Sequence, residues 1–473
     1  MATVDPTATV TRERSPHLAA FLSFLFPGLG QWYGGRTRTA AMFGLPVLVL
    51  LVIALFEVVG GIGRVASLLF TPATAFTIVI LVGLLALWRI LSIADAMYIG
   101  RTRGPWGHSR TMATFGVLSL VVLLTHGVIG YYAYAFYQGS SSIFVSDPSA
   151  DGIAPDASLA PGASAVPGDD FVASPIATPA TAASRINILL TGRDRADTRS
   201  TDLTDTLLIA SIDPTTHDVA LISFPRDISL FPLYNGQTYR GKINSFMSWA
   251  KSHPKDFPDG GLTSLVREMG FLLGAPIHYY TAIDLAGFQK MIDLVGGVTI
   301  DNPRVIDDAR YDWLDGTHGF SLSAGKHKLD GRTALAYVRS RQGFGDSDFS
   351  RARRQQQVVL ALREQLTKPE NITKIPDLIR AAGDTIKTNF PAERIEEMVN
   401  LAQQVDNDEV KQYVLGPSKY SERVPASESG GEYKLRLKMD ALAKLSVGIF
   451  GDQSRYYTPP SPAPSAPASS TTP

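Results

Sequence analysis

Three runs of more than 20 mostly apolar residues precede Lys242, the first lysine of the chain: residues 40–60, 71–94 and 112–137. About 20 apolar residues in a helix cross the hydrocarbon core of a bilayer, so each run reads as a membrane span. The first contains one ionisable residue, Glu57, and the second carries Arg89 near its end, where a long side chain reaches the interface. A fourth apolar stretch, residues 18–33, is shorter and is interrupted by Pro27, Gly28 and Gly30, which suits a re-entrant or interfacial segment. Residues 1–138 therefore read as an all-α membrane anchor of three or four helices.

Arginine placement orients the anchor, because cytoplasmic loops retain Lys and Arg. Arg36 and Arg38 share one connection, Arg101, Arg103 and Arg110 share another, and the loop between the first two spans has only Arg64. Both Arg-rich loops belong inside, and everything after Tyr137 lies outside the cell. The run PGLGQWYGG at residues 27–35 resembles the start of a small two-helix membrane module fused to many bacterial proteins, a likeness that implies no activity. The absence of Cys excludes a disulfide framework, Cys-ligated zinc, iron–sulfur clusters and a thiol nucleophile. With 44 Lys and Arg against 44 Asp and Glu, nothing in the charge balance recruits nucleic acid, and none is expected as a partner.

Residues 139–184 are rich in Ala, Pro, Ser and Asp and lack Lys and Arg, the composition of a disordered spacer. Residues 459–473 read as a disordered Pro/Ser tail. Between them the pattern alternates. Short β-branched runs at 186–191, 206–212 and 219–224 predict strands, and 262–273 repeats apolar residues at helical spacing until Gly274. A strand at 278–283, a helix at 286–295 closed by Gly296 and Gly297, a strand at 298–301 and an amphipathic helix at 350–366 follow. This order predicts an α/β fold, a layered α/β/α domain with a mixed central sheet. Its core spans 185–366, and 367–458 forms the C-terminal part of the soluble domain.

Chemistry concentrates in four places. Asp194 follows one strand and Asp205 opens the next; two such carboxylates either converge on a hard cation such as Mg²⁺ or cap loops. In FPRD, Arg226 projects beyond a strand ended by Pro225, facing an anion or pairing with Asp227, and Lys242 in GKIN carries the same ambiguity. In AYVRSR, read as extended, Arg339 and Arg341 point to one side. On the following helix Arg351, Arg354 and Gln355 stand at i, i+3 and i+4 and share a face. Guanidiniums gathered this way need a strong anion between them, and pyrophosphate suits their bidentate forks; a solvated helix face is the plainer alternative. His278, His318 and His327 are scattered and read as structural. Walker A, HExxH and GxSxG motifs are absent, so nucleotide hydrolysis, zinc proteolysis and the serine-hydrolase route lack their residues.

The runs INILLTGRD, TDTLLIASID, SFPRDI, GKINSF, DLAGFQKMIDLVGGVTID, LDGRTALAYVRSR and GDSDFSRARRQQQ, in this order over residues 186–366, resemble the LytR-CpsA-Psr family. The resemblance implies a membrane-anchored, extracytoplasmic bacterial phosphotransferase of cell wall biogenesis. Such enzymes move a glycopolymer such as teichoic acid from a polyprenyl pyrophosphate carrier to peptidoglycan, with Mg²⁺ or alternatively Mn²⁺. It implies that Asp194 and Asp205 hold the metal and that Arg226, Arg339, Arg341 and Arg351 surround the pyrophosphate. Lys242, Arg354 and Gln355 join them, with Asp227 orienting Arg226. It further implies a tunnel for the lipid tail, drawing on Phe246, Leu265, Phe288, Met291 and Leu294, residues that core packing explains equally well. Two departures stand out. Leu203 and Leu230 occupy positions where the family usually has basic residues, with Arg199 near the first. The same residues also suit a polyprenyl-pyrophosphate hydrolase that uses water as acceptor, or a non-catalytic regulator that binds wall polymer.

Overall fold

A computed structural model describes residues 15–98, 109–144, 185–194, 203–341, 343, 346–368, 371 and 385–458. The chain divides into two units, Met1–Ser141 with Pro391–Asn400, and Ser142–Phe390 with Leu401–Pro473.

The N-terminal unit contains α1 (Pro16–Leu25), α2 (Leu29–Tyr33), α3 (Thr37–Val59), α4 (Ile62–Phe70), α5 (Pro72–Ala96) and α6 (Ser109–Ile143). Among the described residues three helices, Thr37–Val59, Pro72–Ala96 and Arg110–Ile143, are long and apolar enough to cross a membrane. Residues 18–33 form the broken pair α1–α2. The chain turns at Gly28 with φ 98°, and a Cβ there would stand 2.4 Å from the Ala40 carbonyl oxygen, so only glycine fits. The fully buried Gln31 then accepts from Ser23 Oγ at 2.9 Å and donates to the Ser92 carbonyl at 2.8 Å, which pins the break to α5. Helix α6 runs on through residues 139–143, expected from composition to begin the spacer. Ser140 and Ser141 donate to the carbonyls of Tyr137 and Gln138, so the polar side chains continue the helix instead of ending it. Residues 145–184 and 459–473, like Arg101, Arg103 and Arg199, lie outside the described residues.

The second unit is built on a mixed six-stranded sheet. Its first strands are β1 (Ile186–Asp194), β2 (Leu203–Ile212) and β3 (Val219–Ser223), an antiparallel meander. A small ladder, β4 (Phe231–Pro232) with β5 (Thr238–Tyr239), leads to α7 (Phe246–Ser252) and α8 (Gly260–Leu273). Next come β6 (Tyr279–Asp284), parallel to β1, then α9 (Leu285–Leu294) and β7 (Val298–Asn302). The hairpin β8 (Ile306–Asp312) and β9 (His318–Leu322) precedes β10 (Gly325–Leu329), which pairs with β7, and the helices α10 (Gly331–Arg339) and α11 (Asp348–Leu366). Strands β11 (Ile386–Thr388) and β12 (Lys411–Val414) complete the order β11-β6-β1-β2-β3-β12.

Alternation along β2 supplies both faces. Leu207 and Ile209 enter the larger core with Leu189, Ile222 and the side chains of α7, α8 and Met439–Phe450, whereas Leu208 and Ala210 lie opposite, beneath Val359 and Leu360 of α11. This is the layered α/β/α arrangement expected from the sequence. A second core joins α9, α10, α11 and the β7–β10 region around Ile292, Ile300 and Tyr337.

One acid lies inside the larger core layer. Glu268 of α8 is fully buried, and its Oε2 accepts the Tyr234 N–H at 3.1 Å. Burial drives its carboxyl well above the ordinary glutamate range, with only partial opposition from that hydrogen bond and from Arg455. A raised carboxyl pKa favours folding at low pH and penalises it as pH climbs from the unfolded value of about 4.3 towards the folded one. Glu268→Gln should therefore gain thermal stability relative to the wild type as pH rises from about 4 to 8. Melts of the detergent-solubilised chain would check this, and a difference that stays flat would refute the neutral buried acid.

Candidate active site

A break in the sheet ladder creates the site. Gly192 faces Thr206 while Arg193 faces Thr204, so Asp205 is the extra residue of a bulge in β2. Bulges re-aim side chains, and this one presents Asp205 to residues arriving from three other segments. Pro225 closes the run after β3, and Arg226 Nη1 donates to Asp205 Oδ1 at 3.0 Å. Asn244 Nδ2 donates to the same oxygen at 3.4 Å, and its carbonyl accepts from Thr204 Oγ1. The third contribution is the first turn of α11. Ser347 caps that helix in a reciprocal pair with Ser350, and Asp348 sits where the helix dipole favours an anion. Arg351, 5% exposed, places Nη2 2.7 Å from Asp348 Oδ1 and 3.2 Å from the Asp205 carbonyl. Arg226 Nε stands 3.7 Å from Asp348 Oδ1, which closes the ring of charges.

Burial would raise the Asp205 carboxyl, but Arg226 and Arg351, with the hydrogen bonds from Arg226 and Asn244, hold it below the usual carboxylate range. Asp348 goes the other way: burial, aided by Asp227 and Asp205, lifts it despite both guanidiniums. Burial lowers Arg351, countered first by Asp348 and Asp205, and guanidinium stays charged throughout. Two acids side by side thus have pKa values displaced in opposite directions, a mark of functional sites.

The remaining candidates divide. Lys242 Nζ lies 2.6 Å from Asp227 Oδ1, so the partner of Asp227 is Lys242 and not Arg226, whose fork is turned to Asp205. Arg339 is the last residue of α10, and the segment expected to be extended is helical through that point. The N-cap Asp330, which accepts from Thr333 N, starts this helix and overrides the reading of residues 336–341 as a strand. Arg339 hydrogen-bonds the Tyr311 hydroxyl. The backbone N–H of Arg341 donates to Asp308 at 3.1 Å, as does Ser340 Oγ at 2.8 Å, so a buried carboxylate shapes the turn that carries both arginines. Arg354 pairs with Asp346 at 3.0 Å and with the Ser340 carbonyl, and Gln355 donates to the Val338 carbonyl at 3.3 Å. The face shared by Arg351, Arg354 and Gln355 thus splits its duties: Arg351 serves Asp205, while the other two fasten α11 to the end of α10. Phe246 and Leu265 are fully buried in the larger core, whereas Phe288 packs against the smaller one and Met291 and Leu294 are half-buried on α9.

Asp348, Asn244, Asp308 and Tyr311 escaped the sequence reading. Asp348 had a signal, an acid three residues before Arg351 at a helix start; Asp308 and Tyr311 had none, because only the fold brings their hairpin beneath α10.

For a metal, the chemistry of the donors decides. Mg²⁺ takes one or two protein carboxylates and fills the rest with water and phosphate oxygens, and the ionised Asp205 beside an amide group suits it. Asp194 ends the neighbouring strand opposite Leu203, with its side chain outside those described.

The family model described as the LytR_cpsA_psr family matches residues 167–435. The chain belongs to the LytR-CpsA-Psr family. Among curated members, it is 30% identical over 220 residues to the polyisoprenyl-teichoic acid–peptidoglycan teichoic acid transferase TagU of Oceanobacillus iheyensis, a match covering 45% of this chain and 62% of that relative. The TagV transferase of Bacillus subtilis is 30% identical over 199 residues, 42% of this chain and 47% of TagV. The chain thus spans less than two thirds of either relative. The crystal structure of B. subtilis TagV aligns with a TM-score of 0.46 at 25% identity, covering 58% of this chain and 99% of that one.

Proposed function

We propose that this LytR-CpsA-Psr protein transfers a glycopolymer from a polyprenyl pyrophosphate carrier to peptidoglycan, working outside the cell from a multi-pass anchor. The carrying observation is the closed ring of Asp205, Arg226, Asp348 and Arg351, in which guanidiniums that can fork a pyrophosphate stand beside carboxylates of opposite pKa displacement. The TagU and TagV names supply the substrate class. Arg36, Arg38 and Arg110 support the orientation by the positive-inside rule.

In this mechanism Arg226 and Arg351 exchange their carboxylate partners for pyrophosphate oxygens and neutralise charge as the anhydride breaks. A hydroxyl of the acceptor attacks the phosphorus bearing the glycan. Its oxygen forms the new P–O bond, the bridging P–O bond breaks, and polyprenyl phosphate leaves with the electron pair. Asp348 takes the hydroxyl proton, a role its raised pKa improves. Asp205, with Asp194 from the adjoining strand, would hold Mg²⁺, which when bound supplies Lewis-acid stabilisation of phosphoryl oxygens.

The test reconstitutes the full chain in nanodiscs with a short lipid-pyrophosphate glycan, Mg²⁺ and a peptidoglycan oligomer, and follows polyprenyl phosphate and the joined product by mass spectrometry. Joined product formed only with acceptor supports the transferase. Release of polyprenyl phosphate without joined product would overturn the reading in favour of hydrolysis. Asp348→Asn should slow transfer by about 10²–10⁴-fold. It should also erase the acid limb of the pH profile, because the wild type loses its base as pH falls through the raised Asp348 pKa. An unchanged limb would remove Asp348 from that role.

A further inference from the structure

A cavity of about 770 Å³ lies along α11, walled by β7 and the residues just after it on one side and by the stretch from Asn407 to Gln412 on the other. That volume falls in the range of roughly 300–1,000 Å³ found for ligand sites. One stripe of the helix lines it, polar at Ser350, Arg353, Arg354, Gln357 and Glu364 and apolar at Leu360 and Ala361, recurring every three or four residues. Ser347, which caps the turn carrying Asp348 and Arg351, lies at the near end, and Glu364 at the far end is 17 residues on, about 25 Å at the helical rise. The groove therefore begins at the residue next to Asp348 and runs along α11, lined by none of Asp205, Arg226, Asp348 or Arg351.

Its chemistry selects the ligand. Arg304, Arg353 and Arg354 are matched by Asp301, Asp408 and Glu364, so a polyanion or a polycation meets as much repulsion as attraction. An apolar tail would meet Ile300, Ile306, Leu360 and Ala361 but would desolvate these charges and the amides of Asn302, Gln357, Asn407 and Gln412 without replacing their hydrogen bonds, whereas a saccharide presents C–H faces to the first and hydroxyls to the second. A hydroxyl-rich chain, which both donates and accepts, satisfies them. Hydrogen-bonding capacity is unspent: Arg354 Nε and Asn407 Oδ1 are buried with no hydrogen-bond partner among the described residues, a condition native structures seldom leave unexplained. The floor is rigid. Gln357 accepts from the Tyr337 hydroxyl at 2.7 Å and donates to the Asp301 carbonyl at 2.7 Å, which ties α11 to α10 and β7.

We infer that this groove binds a saccharide chain, one of the two glycans joined at the active site. The assignment rests on the transferase reading for its role in turnover but not for its binding, and the two are tested apart. The probe is chitotetraose, a neutral tetrasaccharide, titrated into the full chain in nanodiscs and followed by saturation-transfer NMR. The double variant Arg353→Ala/Asn407→Ala should weaken binding at least tenfold without altering the melting temperature, and Glu364→Ala, on the exposed rim, should weaken it independently. Equal binding by wild type and both variants, or no binding by the wild type, overturns the groove. Turnover then identifies the source of the saccharide. A tenfold rise in acceptor KM with the donor KM unchanged means the groove holds the peptidoglycan strand, and the reverse means it holds the donor glycan. Variants that leave both values unchanged count against the groove. Loss of chitotetraose binding in the variants, together with no joined product from the wild type, keeps the groove and discards the transferase.

Discussion

Arg351→Met is expected to cost the fold about 3–5 kcal/mol and to slow transfer by about 10²–10³-fold. The loss of stability comes from one buried ion pair. Asp348 is 12% exposed on its side chain and has Arg351 at 2.7 Å; without it the carboxylate keeps, among the described residues, the cation of Arg226 at 3.7 Å, and a desolvated charge left short of its partner is far costlier than the pair was favourable. The catalytic loss has a separate cause, the removal of a preorganised cation from the breaking anhydride, for which single donors are typically worth 10²–10³ in rate. The double variant Arg351→Met/Asp348→Leu separates the two, since replacing a buried pair by apolar residues of similar volume is often neutral. It should recover most of the melting temperature in detergent while transfer in the nanodisc assay stays slow. A single variant that melts with the wild type would mean the pair carries no stability, and a double variant that transfers normally would move the chemistry elsewhere.

Much of this arrangement could be read before any coordinates. The membrane helices, β1 to β3, α8, α9 and α11 all announce themselves, because each carries a hydrophobic period together with a stop: Gly274 after α8, Gly296 and Gly297 after α9, Pro225 beyond β3. Asp205, Arg226 and Arg351 were also legible as chemistry, because each stands in a run that resembles the family, although an Asp at a strand end and an Arg on a helix face have plain structural uses as well. Three things were hidden. The bulge that singles out Asp205 depends on register between two strands, which no single strand encodes. The helical state of residues 336–339 depends on a cap six residues earlier, and once it forms, the alternation that seemed to align Arg339 with Arg341 no longer applies. The pairing of Asp227 with Lys242 joins segments 15 residues apart across a turn, and sequence adjacency pointed to Arg226 instead.

Phe246→Ala should lower stability by about 3–5 kcal/mol, the usual cost of emptying a large buried aromatic site. In a domain of this size that corresponds to a fall in melting temperature of roughly 6–20 °C. The ring is fully buried and meets Phe231, Tyr239, Trp249 and Phe257 at centroid distances of 6.2, 5.3, 5.9 and 5.7 Å, three of them edge-on. Edge-to-face pairs add to the area term, so the loss should lie towards the upper part of that range. This outcome decides between the two roles that helical spacing alone left open for Phe246. A wall of a lipid tunnel would give up its side chain at modest cost to the apo protein and would instead change KM as the prenyl chain is lengthened. A keystone of the aromatic core loses stability whether or not lipid is present. Phe288→Ala is the internal control, because that ring is half-buried against the smaller core and its removal opens less cavity. If Phe246→Ala keeps the wild-type melting temperature while prenyl-length dependence disappears, the aromatic cluster is a lipid site and not a core.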